Sequence, residues 1–202
     1  MIENFVYLGA TIGLLLTLYF SSVEDMKYHR ISKKYVLVFF IIVIFYNNFA
    51  GASVEKTLAF IITLVIFSCI TFASKGMFGF GDTLIISAIA WFIGDLIYLQ
   101  YFYLTLCFCS LVIGAYFVLV NHKQNHKGFK KIFNNTMFVD KDNLKPGMVL
   151  ANDYFMKGLT EKEIDDLKKF NDGPVLIKQT YPFIPVIFAS FLIYVIMYNI
   201  VF

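Results

Sequence analysis

The chain has 202 residues, of which 59% are hydrophobic, 19% aromatic and only 15% charged. Ordinary soluble domains carry about 25% charged residues, so this composition excludes one and points to a protein embedded in lipid. A net charge of +3 at pH 7 calls for no nucleic-acid partner, because basic residues beside membrane helices serve orientation and meet the anionic inner leaflet.

Spans of roughly 20 apolar residues cross a bilayer core, and the first candidate is Asn4–Val23. Met1–Asn4 lacks the basic start of an export signal and no small-residue cleavage site follows, so this segment reads as a retained helix. A connection holding Lys27, Arg30, Lys33 and Lys34 leads to the second span, Tyr35–Ala52, and a link with Lys56 to the third, Thr57–Ser74. Lys75 and the glycines Gly76, Gly79 and Gly81 precede Thr83–Val120. That stretch is too long for one crossing and reads as two helices turning around Gly94–Tyr101. Pro182–Phe202 supplies the sixth helix. Cys69, Cys107 and Cys109 all fall inside predicted spans, where they pack as small apolar groups and imply no disulfide framework.

Every Lys and Arg except Lys56 lies in the first, third or fifth connection. The positive-inside rule makes those connections cytoplasmic and places both termini outside.

His122–Tyr181 is too polar to span. Pro146–Gly147 predicts a turn between short strands. "TEKE", Thr160 to Glu163, predicts a capping box opening a helix through about Phe170, with Asn171, Gly173 and Pro174 ending it, and Val175–Lys178 reads as a strand. Within it, "HKQNHKGFKK" is a solvated interfacial stretch, and Asp165 and Asp166 belong to the exposed face of the charged helix. His122 and His126 have i, i+4 spacing but no third ligand, so no metal is expected, and no other cofactor is called for. The expected fold class is an all-α polytopic membrane protein of six transmembrane helices with a small cytoplasmic α+β insert before the last. Its parts are a membrane domain over 1–120, the insert over 121–181 and the last helix over 182–202.

Acidic residues near a bilayer are costly and usually functional. Four stand in or beside the spans: Glu24, Asp25, Asp82 and Asp95. Asp25 ends the first helix and Asp82 starts the fourth, both on the expected cytoplasmic side. Asp95 follows Asp82 by a rise of about 20 Å and belongs to the opposite side. Two carboxylates brought together share one proton, and such a pair activates water and protonates a leaving amine. Taken alone, Asp82 is equally well an N-cap of the fourth helix, and Asp25 an interfacial partner of Lys27 or Arg30. The glycines at 76, 79 and 81 allow a substrate backbone to approach closely, or simply form a tight turn.

"GMFGFGD", Gly76 to Asp82, resembles the GxGD signature of membrane aspartyl peptidases, and its continuation "TLIISAIAWFIG" resembles that of type IV prepilin peptidases and their archaeal preflagellin relatives. "SSVEDMKYHRIS", Ser21 to Ser32, is similar to the same family's other motif, an aspartate followed six residues later by isoleucine, here Asp25 and Ile31. "LKPGMVLANDYF", "GLTEKEIDDLKKF" and "YPFIPVIFASFL" resemble the insert and last helix of the archaeal branch. The resemblance implies a membrane aspartic endopeptidase that removes the short basic leader from pilin or archaellin precursors at the cytoplasmic face, with Asp25 and Asp82 as the catalytic pair. Leu84 stands where many relatives carry a lysine, and no CxxC pair accompanies it, so the methylating activity of bacterial members is not implied. A presenilin-like protease is the second enzyme reading, but Asp25 follows Glu24 rather than tyrosine and a Pro-Ala-Leu motif is absent. An ion-coupled transporter is the non-enzymatic one, against which stand the rim position of both acids and the lack of an internal repeat.

Overall fold

The structure, a computed structural model, describes residues 2–28, 31–51, 53–73, 79–124, 136–144, 146, 148–150, 159–170, 173–178 and 183–201. Among the described residues seven α-helices and three short strands follow one another. Helices α1 (Ile2–Tyr28), α2 (Lys33–Ala50) and α3 (Val54–Ala73) come first, then α4 (Phe80–Ile93) and α5 (Leu96–Gln124). A polar part carries β1 (Thr136–Val139), β2 (Val149–Leu150), α6 (Glu161–Phe170) and β3 (Val175–Lys178), and α7 (Ile184–Val201) closes the order.

Among the described residues four segments are long and apolar enough to cross a membrane: Asn4–Met26, Lys33–Ala50, Val54–Ala73 and Leu96–Tyr116. The apolar stretches Phe80–Ile93 and Ile184–Asn199 are shorter, so among the described residues four of the six expected spans have the length to cross a membrane. These helices turn large side chains outward, among them Leu8, Ile12 and Leu16 on α1, Ile62 and Ile66 on α3, and Leu104 and Leu111 on α5. An apolar outer surface of this extent is the signature of a protein solvated by lipid. The chain is a membrane protein of several apolar helices.

Helix α4 occupies the centre. Asp82, Thr83, Ile85 through Ala90, and Phe92 are all buried along it, whereas α2 buries only the stripe Phe39, Val43 and Asn47. Helix α4 packs on α2 and α3, α1 on α2 and α7, and α5 on α7. Lipid tails are as apolar as leucine, so helices associate through close packing and polar contacts rather than through hydrophobic burial. Thr71 and Thr83 share a hydroxyl hydrogen bond of 2.9 Å between α3 and α4, and Thr63 on α3 pairs with Tyr103 on α5. Thr105 Oγ1 donates to the Ser190 carbonyl at 3.3 Å, tying α5 to α7.

The break between α4 and α5 falls at the start of the region the sequence marks for it. Gly94, at φ +71°, ends α4 by donating its N–H to the Ala90 carbonyl at 2.9 Å. A left-handed residue is the usual stop for a helix, and glycine adopts it without steric cost. Asp95 then caps α5, its Oδ1 accepting from Ile97 N at 2.7 Å and from Tyr98 N at 3.4 Å.

In the polar part β3 pairs antiparallel with both β1 and β2, giving the order β1-β3-β2. The turn at Pro146 therefore joins strands that flank a common neighbour instead of pairing with each other. Gly147 and Asn171 lie outside the described residues. Thr160 caps α6 as its sequence requires: Glu163 N donates to Thr160 Oγ1 at 3.3 Å, and Glu163 Oε2 accepts from Thr160 N at 2.8 Å. Val139, Leu144, Leu159, Ile164, Val175 and Ile177 form a small core separate from that of the membrane helices. Asp165 and Asp166 are exposed.

Candidate active site

Asp25 and Asp82 are the two charged side chains buried among the described residues, 6% and 7% exposed. A buried carboxylate is expensive unless donors surround it, and each of these two is met by backbone N–H groups at a helix start. Helix α1 continues past the predicted span to Tyr28, so Asp25 lies inside its last two turns on the buried face. Its Oδ2 accepts from Ile184 N at 3.0 Å. Ile184 is the first residue of α7, whose first N–H groups have no partner within the helix. Asp25 thus supplies an acceptor from 159 residues away, and the positive end of the α7 dipole faces it.

Asp82 is not the N-cap that a local reading allows. Gly79 holds that position in extended conformation, and Asp82 is the third helical residue. Its carboxylate reaches back so that Oδ2 accepts from Gly79 N at 3.1 Å, while the Gly79 carbonyl accepts from the N–H groups of Asp82 and Thr83 at 3.1 and 3.2 Å. The first turn of α4 thereby holds the acid rigidly. A Cβ at Gly79 would lie 3.0 Å from Asp82 Oδ2, so a side chain there would crowd the carboxylate.

The two acids lie at one end of the helix bundle, and Asp25 is near enough to act electrostatically on Asp82. Their surroundings join as well. A Cβ at Gly81 would meet Ile31 Cδ1 at 3.1 Å, so the isoleucine six residues beyond Asp25 packs over the glycine next to Asp82. Gly76 lies outside the described residues. Asp95 is the cap of α5 already described, at the far end of α4 from Asp82.

The backbone donor at Ile184 had no signal in the sequence, because a main-chain N–H has no residue type; only the proline at 185, tolerated in a helix's first turn, marks that a helix starts there. Glu24, one residue before Asp25, has its Oε2 shielded from solvent without a hydrogen-bond partner among the described residues, and so has the Ser21 hydroxyl. Among the described residues no group of three His, Cys, Asp or Glu side chains is placed to hold a metal ion; His126 lies outside them.

Several lipid-facing helices and two buried acids at one end define a membrane protein with a polar site at the edge of its apolar core. The model of the type IV leader peptidase family matches residues 12–119, over half the chain and including both aspartates. The chain belongs to the type IV leader peptidase family, and it is a protease of the class that acts on prepilin-type precursors. No curated protein and no solved structure matches it.

Proposed function

We propose that the protein is an aspartic endopeptidase that removes the short basic leader from pilin or archaellin precursors, with Asp25 and Asp82 as its catalytic pair. The observation that supports this reading is that two buried acids, from the end of α1 and the start of α4, flank a shared contact, in which Ile31 beyond Asp25 packs over Gly81 beside Asp82. One carboxylate, ionised, takes a proton from a water molecule as its oxygen attacks the scissile carbonyl carbon. The other, protonated, donates to the carbonyl oxygen. Collapse of the tetrahedral intermediate breaks the C–N bond, and the amine of the mature protein leaves with a proton from the pair. Water is consumed, the leader ends in a carboxyl group, and no cofactor takes part.

Sidedness follows from charge. All Lys and Arg but Lys56 stand in connections that the positive-inside rule places in the cytoplasm. Asp25 lies toward the first of these and Asp82 directly after the second, so the cut is made at the cytoplasmic face, just before the precursor's apolar helix. Domain 1–120 holds the catalytic pair, the insert over 121–181 is cytoplasmic, and the helix over 182–202 supplies the Asp25 donor.

Asp25→Asn and Asp82→Asn keep size and hydrogen-bonding shape but remove the titrating proton. Each is expected to lower leader removal by at least about a thousandfold, with the variant still inserted in the membrane at normal yield, as read by gel shift of a co-expressed precursor. Processing by either variant at the wild-type rate would end the dyad proposal.

A further inference from the structure

Ser21, Glu24 and Asp25 stand at i, i+3 and i+4 on α1 and therefore share one face. Side chains on a helix lean toward its N-terminus, so the carboxyl groups of Glu24 and Asp25 overlie the turn that carries Ser21. Ser21 is 1% exposed and its Oγ has no hydrogen-bond partner among the described residues. The hydroxyls of Thr17 and Ser22 on the same helix donate to carbonyls one turn back, at 2.8 and 2.7 Å, as do those of Thr63, Ser87 and Ser190 on other helices, whereas Thr11 Oγ1, also on α1, is likewise shielded without a partner among the described residues. The Glu24 Oε2 beside Ser21 is equally shielded and equally without a partner among them.

An ionised carboxylate accepts hydrogen bonds and donates none, and a serine hydroxyl accepts as readily as it donates. A buried carboxylate oxygen next to a pair of acids that retains one negative charge is completed best by a cation that donates several hydrogen bonds. We propose that Glu24, with Ser21 beside it, forms a cation-accepting subsite next to Asp25 that takes the ammonium or guanidinium group of a basic residue in the precursor's leader. The inference rests on the peptidase reading above and assigns leader selection to a named residue. Glu24 is then a specificity residue: it holds the leader on one side of the scissile bond while Asp25 and Asp82 perform the chemistry.

The test uses the full-length enzyme in detergent or membranes and three forms of one precursor: the basic leader as it stands, the same leader with its Lys and Arg changed to Gln, and the same positions changed to Glu. Wild type is expected to cleave the basic leader with the lowest KM. Glu24→Gln is expected to raise KM for the basic leader by about 30-fold, to leave kcat within a few-fold, and to show no preference between the basic and neutral leaders. Glu24→Lys is expected to cleave the Glu-bearing leader better than wild type does, which a purely structural role would not produce. Glu24→Gln that keeps the wild-type preference, or loses the same factor on both leaders, overturns the subsite. If Glu24→Gln fails to fold, wild type alone decides, since equal KM for basic and neutral leaders overturns it too. Cleavage retained in Asp82→Asn would instead overturn the aspartate pair as the catalytic centre beside which the subsite is placed.

Discussion

The contact between Ile31 and Gly81 shows how one methyl group links two distant motifs. Alanine at 81 would gain helix propensity of up to about 1 kcal/mol over glycine, but its methyl group would press on Ile31 Cδ1 at 3.1 Å, and overpacking costs about 1–3 kcal/mol. Because the pressed atom is the end of a flexible side chain, the lower figure applies and the two effects nearly cancel. Gly81→Ala is therefore expected to leave the thermal midpoint in detergent within a few degrees of wild type. A shifted Ile31 side chain alters the packing beside Asp82, however, and small misplacements at a site are costly in rate, so leader removal should fall by about tenfold. Ile31→Val removes the one carbon in conflict; the next Ile31 atom is 3.7 Å away. Adding it to Gly81→Ala should restore most of the rate, and a double variant no faster than Gly81→Ala would show that the two motifs do not communicate through this contact.

Among the helices, α4 is short and almost wholly buried, and its two ends do different work. At the start, extended Gly79 lets Asp82 fold back onto its N–H; at the end, left-handed Gly94 stops the helix and Asp95 opens the next. Asp95→Ala removes the acceptor for Ile97 N and Tyr98 N and is expected to cost about 0.5–2 kcal/mol, read as a lower thermal midpoint of the detergent-solubilised protein. Leader removal by the folded fraction should be unchanged. A large loss of rate at full stability would instead give Asp95 a part in function. Helix α7 has a similarly double role, since its side chains pack against α1 and α5 while the N–H at its first residue holds Asp25.

For the whole molecule, the proposed sharing of one proton between two acids would set the pH response. On that proposal the rate requires one carboxylate ionised and the other protonated, so cleavage is expected to fall on the acid side as both take protons and on the alkaline side as the shared proton leaves. The apparent constants belong to the pair rather than to either aspartate. A bell-shaped profile of kcat/KM on a purified precursor is the expected outcome. A rate that stays flat into strong alkali, with chemistry limiting turnover, would contradict a shared proton.

Much of this protein is fixed by pattern alone. Apolar runs of the right length, a composition poor in charge and the Thr160–Glu163 box each report a local preference, and α6 begins and ends where its cap and charged face require. The same holds for the suspicion that falls on Asp25 and Asp82, because a carboxylate beside an apolar run is costly wherever the chain folds. Local pattern could not decide who answers that cost. Asp25 meets a backbone N–H from the last helix, and Ile31 seats itself on Gly81 from another turn of chain. Asp82 moves from cap to third helical position because the preceding glycine, not the acid, takes the extended conformation. These are pairings between segments far apart along the chain, set by the packing of α1, α4 and α7, and a main-chain donor or an absent side chain leaves no mark in composition or spacing by which to foresee its partner.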